Sequence, residues 1–105
     1  MISRIWHGYT TPENADPYEA LLKEEVFTGI KNRKIAGYRG IQLLRRELPH
    51  ETEFITIMCF DSREAVIKFA GEDYEAAVVI EKAKKLLSRY DKRSQHYDIR
   101  IDESA

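Results

Sequence analysis

Cysteine occurs once in this chain of 105 residues, so no intrachain disulfide can form. Cys59 lies inside the apolar run FITIMCF and reads as a small buried hydrophobe. A reducing, cytoplasmic location is therefore expected. Proline occurs three times and glycine five times, too few for a linker-rich or low-complexity chain. No apolar stretch approaches the roughly 18 residues of a membrane helix, and no apolar signal segment opens the chain, so no membrane role is expected. Neither sign of charge dominates: 17 basic and 18 acidic residues leave a net charge of −1. Phosphate backbones need a basic face, so nucleic acid is not an expected partner. The sequence also lacks Cys/His metal spacing, a glycine-rich phosphate loop and a nucleophile elbow, which sets aside zinc, nucleotide and serine-hydrolase chemistry.

What remains is globular in composition, 43% hydrophobic and 33% charged, and of a length for one domain over residues 1–105. Residues 2–10 predict a first strand. Asp16 and Pro17 predict a helix start, and Tyr18, Leu21, Leu22, Val26 and Ile30 recur at helical spacing through 17–34. Residues 38–47 and 52–60 predict a hairpin about the turn Leu48-Pro49-His50-Glu51. Asp61 and Ser62 offer caps for a second helix that Gly71 ends. A third helical stretch is expected over 74–90, and a last strand over 93–101. The order β-α-β-β-α-(α)-β is the α+β, ferredoxin-like split βαβ arrangement, with an extra helix before the last strand.

Strand 52–60 predicts more than its own existence. Ile55, Ile57 and Cys59 point to one face, and Phe54, Met58 and Phe60 to the other. Helices on one side can cover only one of these faces, and a bare face would alternate apolar with polar residues. No further segment of the chain is left to cover it. A second copy of the sheet is the expected cover, which predicts a homodimer built as a two-chain barrel.

In such a sheet the first and last strands are antiparallel neighbours, so His7 and His96 lie on adjacent strands. Tyr97, Ile99 and Ile101 make the more apolar face of the last strand. His96 is accordingly expected to face the inter-sheet cavity, with His7 and Tyr9. A neutral histidine there is a candidate general base near pH 7. Trp6 is a candidate for core or pocket wall. One of Arg45 and Arg46, on opposite faces at the end of the second strand, is a candidate for holding a substrate oxyanion, and Tyr74, in the segment after Gly71, a candidate lid residue.

The pieces RIWHGYT, GYRGIQLLRRE, EFITIMCFDS, FAGEDYEAAV and HYDI together resemble the antibiotic biosynthesis monooxygenase-like family, within the dimeric α/β-barrel superfamily. The resemblance spans residues 2–100. It implies a homodimer with one pocket per subunit between sheet and helices. It also implies a monooxygenase that needs no metal, flavin or other cofactor and oxidises a small aromatic or polyketide-like molecule with O2. His96 and His7 would then be the catalytic groups, and Trp6, Tyr9, Arg45, Met58, Phe60 and Tyr74 would bind substrate. The haem-degrading relatives and some polyketide oxygenases place a tryptophan on the second helix, and the haem degraders an asparagine in the first strand. Here Phe69 stands in the first region and no asparagine in the second. The alternative is a non-catalytic small-molecule binding or stress-response protein of the same fold.

Overall fold

The computed structural model describes all 105 residues. Strand β1 (Ile2–Thr10) leads into helix α1 (Pro12–Leu21), a π-helical stretch (Leu22–Val26) and α2 (Phe27–Asn32) without a break. Strands β2 (Tyr38–Glu47) and β3 (Thr52–Phe60) form the hairpin, and α3 (Arg63–Ala70) follows. After α3 the chain runs without regular structure to α4 (Glu81–Leu86), then β4 (Leu87–Tyr90) and β5 (Gln95–Asp98). The sheet is antiparallel in the order β2-β3-β1-β4, with β5 also on β1. Strand β1 pairs along its length with β3 on one edge. Its other edge takes β4 at Gly8–Thr10 and β5 at Ile2–Ile5, so the fourth strand is one strand broken at 91–94. This is the ferredoxin-like α+β sheet expected from the element order.

The element boundaries differ from expectation in two places. The first helix starts at Pro12, with Thr11 as its cap: the Thr11 hydroxyl accepts from the Asn14 amide at 3.3 Å. Asp16 and Pro17 lie inside the helix instead of starting it, and the missing Pro17 N–H leaves one backbone bond of the helix unmade. The second difference is larger. Residues 74–90 are not one helix: only 81–86 are helical, and Leu87–Tyr90 is a strand. The apolar spacing of Val78, Val79, Leu86 and Leu87 mimics a helix stripe. In fact Val79, Leu86 and Leu87 approach one core cluster from a loop, a helix and a strand in turn.

Alternation along the strands sorts the two faces. On β1 the even positions are buried and the odd ones half-exposed. On β3 Phe54, Met58 and Phe60 are buried under the helices, while Ile55, Ile57 and Cys59 stay half-exposed on the open face. One core cluster packs Ile2, Met58 and Phe60 against Ala65, Val66 and Phe69 of α3. The other packs Phe54 against Ala15, Tyr18 and Leu22 of the first helix and Ala83 of α4. Each fully buried large apolar side chain contributes about 1.5–3 kcal/mol over its exposed state. Ser62 caps α3 through its hydroxyl, 3.3 Å from the Ala65 amide, and Gly71 ends that helix at φ 92°, as expected. No helix is long and apolar enough to cross a membrane.

Gly37 joins α2 to β2 at φ 87°, and a Cβ there would lie 2.7 Å from the Ala65 Cβ. Both the left-handed backbone and this approach of α3 to the turn require glycine. Gly37→Ala is expected to destabilise the fold by about 1–3 kcal/mol. A urea unfolding midpoint unchanged from wild type would show that the turn relaxes freely.

Candidate functional site

Between the sheet and the helices lies a pocket of about 530 Å3, its open mouth included. Trp6, Ile41, Thr56 and Met58 rise from the sheet, and Leu22, Val26, Phe27 and Ile30 come down from the first helix. The π-helical stretch sits at this wall. Its widened turn lets Leu22, Val26 and Phe27 all reach the pocket, which a regular 3.6-residue turn would spread around the helix. Val78 and Ile80, 51% and 42% exposed, stand at the rim. Thirteen of the sixteen lining residues are hydrophobic, which leaves Arg4, Thr56 and Ser94 as the polar ones.

Arg4 is the centre of the arrangement. It is only 3% exposed, on the even, helix-covered side of β1. Its Nη1 donates to the Tyr74 carbonyl, and its Nη2 to the Ala76 carbonyl at 3.1 Å. It thereby ties the irregular segment after α3 to the middle of the sheet. Two backbone bonds hold the same segment to the strand break: Ala77 N to Lys92 O at 2.9 Å and Ser94 N to Glu75 O at 2.6 Å. The Phe69 ring lies between two guanidinium groups, with Arg4 and Arg33 each 5.4 Å from its centroid. Burial pulls the Arg4 pKa down to about 10, so it remains a cation at neutral pH.

His96 sits directly across from Arg4 in the β1–β5 register, on the helix-covered side, with Nε2 3.0 Å from Arg4 Nη1. The guanidinium can only donate, so Nε2 is the acceptor and the ring proton belongs on Nδ1. That Nδ1 is buried without a partner. Burial first, then the Arg4 charge, hold the His96 pKa below its ordinary value, with Glu75 opposing. The ring also meets Tyr74 edge-on, centroids 5.2 Å apart.

His7 lies on the other face. It points to the open side of β1, and its Nδ1 is 3.1 Å from Asp91 Oδ2. The two histidines thus occupy adjacent strands, as expected, but opposite faces. The expected orientation of the last strand is reversed: His96 points toward the helices, and Tyr97 is 56% exposed on the open face. Gly8 pairs with Tyr90 and Arg4 with His96, so even positions stay under the helices on both sides of the break, and the apolar Tyr97, Ile99 and Ile101 do not set the strand's orientation.

Trp6 and Met58 line the pocket. The Trp6 indole donates to the Asp91 carbonyl at 2.8 Å and lies over Gly8, where an added Cβ would be 2.6 Å from the ring. Phe60 is fully buried between Tyr38 and Phe69 and does not line the pocket. Tyr9 is on the open face and donates to Glu53 at 3.2 Å; burial and that carboxylate raise its pKa, so the phenol stays neutral. Arg45 stacks over Phe54 and pairs with Asp16, Glu19 and Glu47, three carboxylates that already neutralise it, and it does not line the pocket. The Tyr74 hydroxyl accepts from Arg63 at 2.8 Å, so its ring braces His96 outside the pocket lining. Sequence reasoning missed Arg4 and Ser94 as pocket residues. Arg4 had a signal, a charge in the apolar even-numbered stripe with Ile2 and Trp6; Ser94 had none.

No cluster of three or more histidine, cysteine or acidic side chains is arranged to hold a metal ion. Fold and site define a class: a ferredoxin-like sheet whose helices enclose an apolar pocket with one buried cation. Solved structures share this fold over nearly their whole length. A Bacillus cereus protein provisionally described as an antibiotic biosynthesis monooxygenase aligns with TM-score 0.70 and 12% identity, over 100% of this chain and 96% of its own. The haem degrader MhuD of Mycobacterium tuberculosis, with two haems in its active site, gives 0.64 and 17%, over 99% and 100%. Rv0793 of the same organism gives 0.65 and 19%, over 99% and 98%. The chain has the antibiotic biosynthesis monooxygenase-like fold. No protein-family model matches the sequence, and no curated protein matches it.

The lowered His96 pKa fixes the sign of a pH effect. The unfolded chain, with an imidazole near 6.5, binds more protons than the folded one just below that value. Stability from this group is therefore complete above about pH 6.5 and is lost as pH falls toward the lower folded value. Wild type is expected to lose stability as pH falls below about 6.5 in urea unfolding, and His96→Gln to lose less. Parallel pH profiles for the two proteins would exclude His96 as the source.

Proposed function

We propose that this protein is a small monooxygenase that oxidises an aromatic or polyketide-like molecule with O2, without metal or flavin, in the pocket between sheet and helices. The pocket carries the reading: an apolar chamber with a buried cation at its sheet side. Such chemistry starts from a substrate with an acidic C–H or phenolic O–H. Loss of that proton to solvent gives an anion, which passes one electron to O2. The radical pair joins through a new C–O bond as a peroxide. Its O–O bond then breaks as the remaining C–H proton is lost, turning a CH2 into C=O, and the second oxygen leaves as hydroxide that takes up a proton from solvent to become water. The apolar walls exclude bulk water from the reactive pair, and the Arg4 cation favours the anion. Arg4 holds the place first given to Arg45, and His96 acts through it as a positioning residue.

MhuD acts on haem, but the residues here do not fit that group. None of the sixteen lining residues is a histidine; the His96 Nε2 is engaged by Arg4, and His7 is on the other face. No step is routed through haem. The same lack of a lining base favours a second reading, a non-catalytic binder of small apolar molecules. A free thiol and no disulfide suit a cytoplasmic protein on either reading.

The test is oxygen uptake by the purified protein on a panel of anthrones and hydroquinones, without added cofactor. Wild type is expected to exceed the buffer blank. Val78→Trp, which narrows the rim without touching the core, should lower uptake about tenfold or more with the melting temperature kept. His7→Ala should stay within about twofold of wild type, being outside the pocket. Thermal stabilisation by the same compounds with no uptake would favour the binder.

Both readings take the protein as a homodimer through the open sheet face. Ile5, Ile55, Ile57 and Cys59 lie half-exposed there beside Leu44 and Tyr97, 43% and 56% exposed. A contiguous apolar patch of this kind is unusual on a monomer. Light scattering is expected to give twice the chain mass, and Ile57→Asp to give a folded monomer or a soluble decrease in mass. A wild-type monomer at micromolar concentration would defeat the dimer.

A further inference from the structure

Arg4 is a buried charge without a counter-ion. None of the ion pairs in the protein includes it. Its acceptors are two backbone carbonyls and a neutral imidazole, and its other neighbour is the face of Phe69. These supply dipoles but no negative charge. A buried guanidinium normally has a carboxylate or phosphate partner, since its desolvation is otherwise uncompensated. The donor inventory is incomplete too. A guanidinium has five N–H groups; here Nη1 makes two contacts, Nη2 one, and Nε none. Two donors are left over on a group that lines the pocket.

Ser94 repeats the pattern independently. It is 4% exposed, lines the same pocket, and its Oγ has no hydrogen-bond partner in the protein. Buried hydroxyls are nearly always satisfied. Two residues with unsatisfied polar groups therefore line one chamber whose remaining walls, Thr56 aside, are hydrocarbon.

We infer that the pocket is built for a monoanion with an apolar body, its charged oxygen (phenolate, enolate or carboxylate) seated on the free N–H groups of Arg4 with Ser94 Oγ as a further donor. This names the substrate class of the pocket and rests on its being the ligand site, but not on any oxygen chemistry. The ligand completes the protein: its charge is the missing counter-ion of Arg4. Arg4 also clamps the 74–76 segment, so anion binding and the seating of that wall involve the same side chain. His96, its lone pair on Nη1, directs the remaining donors of the fork away from itself.

The experiment is calorimetric titration of the purified protein with 2-naphthoate and with neutral 2-naphthylmethanol, matched in size. Wild type is expected to bind the anion about tenfold or more tightly, as a charge-assisted hydrogen bond in a dry site provides. Arg4→Gln is expected to bring the ratio near one. Arg4→Lys should keep a reduced preference, and Ser94→Ala should lower the ratio with the fold intact. These two variants carry the test if Arg4→Gln does not fold. Equal binding of the two probes, binding of neither, or a preference untouched by these variants overturns the inference. A preference for the anion with no oxygen uptake on the anthrone and hydroquinone panel upholds it while defeating the oxygenase reading. Uptake without a preference does the reverse.

Discussion

The parity of strand β1 decides where everything else in the site falls. It is the one strand hydrogen-bonded on both edges by three others, β3 on one side and β4 and β5 on the other. Its even residues go under the helices and its odd residues to the open face. Ile2, Arg4, Trp6 and Gly8 thus form a row beneath the helices: a core residue, a cation, an indole, and a bare backbone on which the indole rests. A one-residue shift of β1 would send Arg4 to the open face and bring His7 under the helices, giving a different protein from the same composition.

The fourth strand is broken so that this row can be closed over. At 91–94 the chain leaves β1, and three bonds hold the break. The Trp6 indole and the His7 imidazole both reach Asp91, and the Asp91 amide donates to the His7 carbonyl at 2.9 Å. The gap lets the segment from Tyr74 to Ile80 pass across the edge of the sheet. Val78, Val79 and Ile80 become pocket wall there, and Arg4 holds the segment from beneath. A continuous helix over these residues would satisfy its own carbonyls. An irregular chain leaves Tyr74 and Ala76 carbonyls free to accept from a buried guanidinium. The local loss of helix and the burial of Arg4 support one another.

The open face obeys a different logic. At one end Glu53 is nearly buried between Arg46 and Tyr9; burial raises its pKa, but those donors and the Arg46 charge outweigh it, and it stays ionised below the usual range. Arg89 stacks on the Tyr9 ring 3.7 Å from its centroid and pairs with Glu51. Ile5, Leu44, Ile55 and Ile57 form an aliphatic group on the same face, beside His7, Gln42 and Gln95.

Period and punctuation determined much of this protein directly. The alternation of Phe54, Met58 and Phe60 with Ile55, Ile57 and Cys59 set both faces of β3. Gly71 ended a helix, the hairpin closed about Leu48–Glu51, and the order of elements gave the ferredoxin-like sheet. These are local properties: they depend on 2.0- and 3.6-residue periods and on which residues tolerate a turn. The site was decided elsewhere. Whether His96 faces His7 or Arg4 depends on the register of the last strand against β1, and its own residues carry no mark of that register. Whether Arg4 is solvated or sealed depends on a segment seventy residues away. The sequence therefore determined the sheet and its two apolar faces. The tertiary structure alone decided which polar groups are trapped between sheet and helices, because desolvation depends on every element that closes over a side chain, and not on its neighbours along the chain.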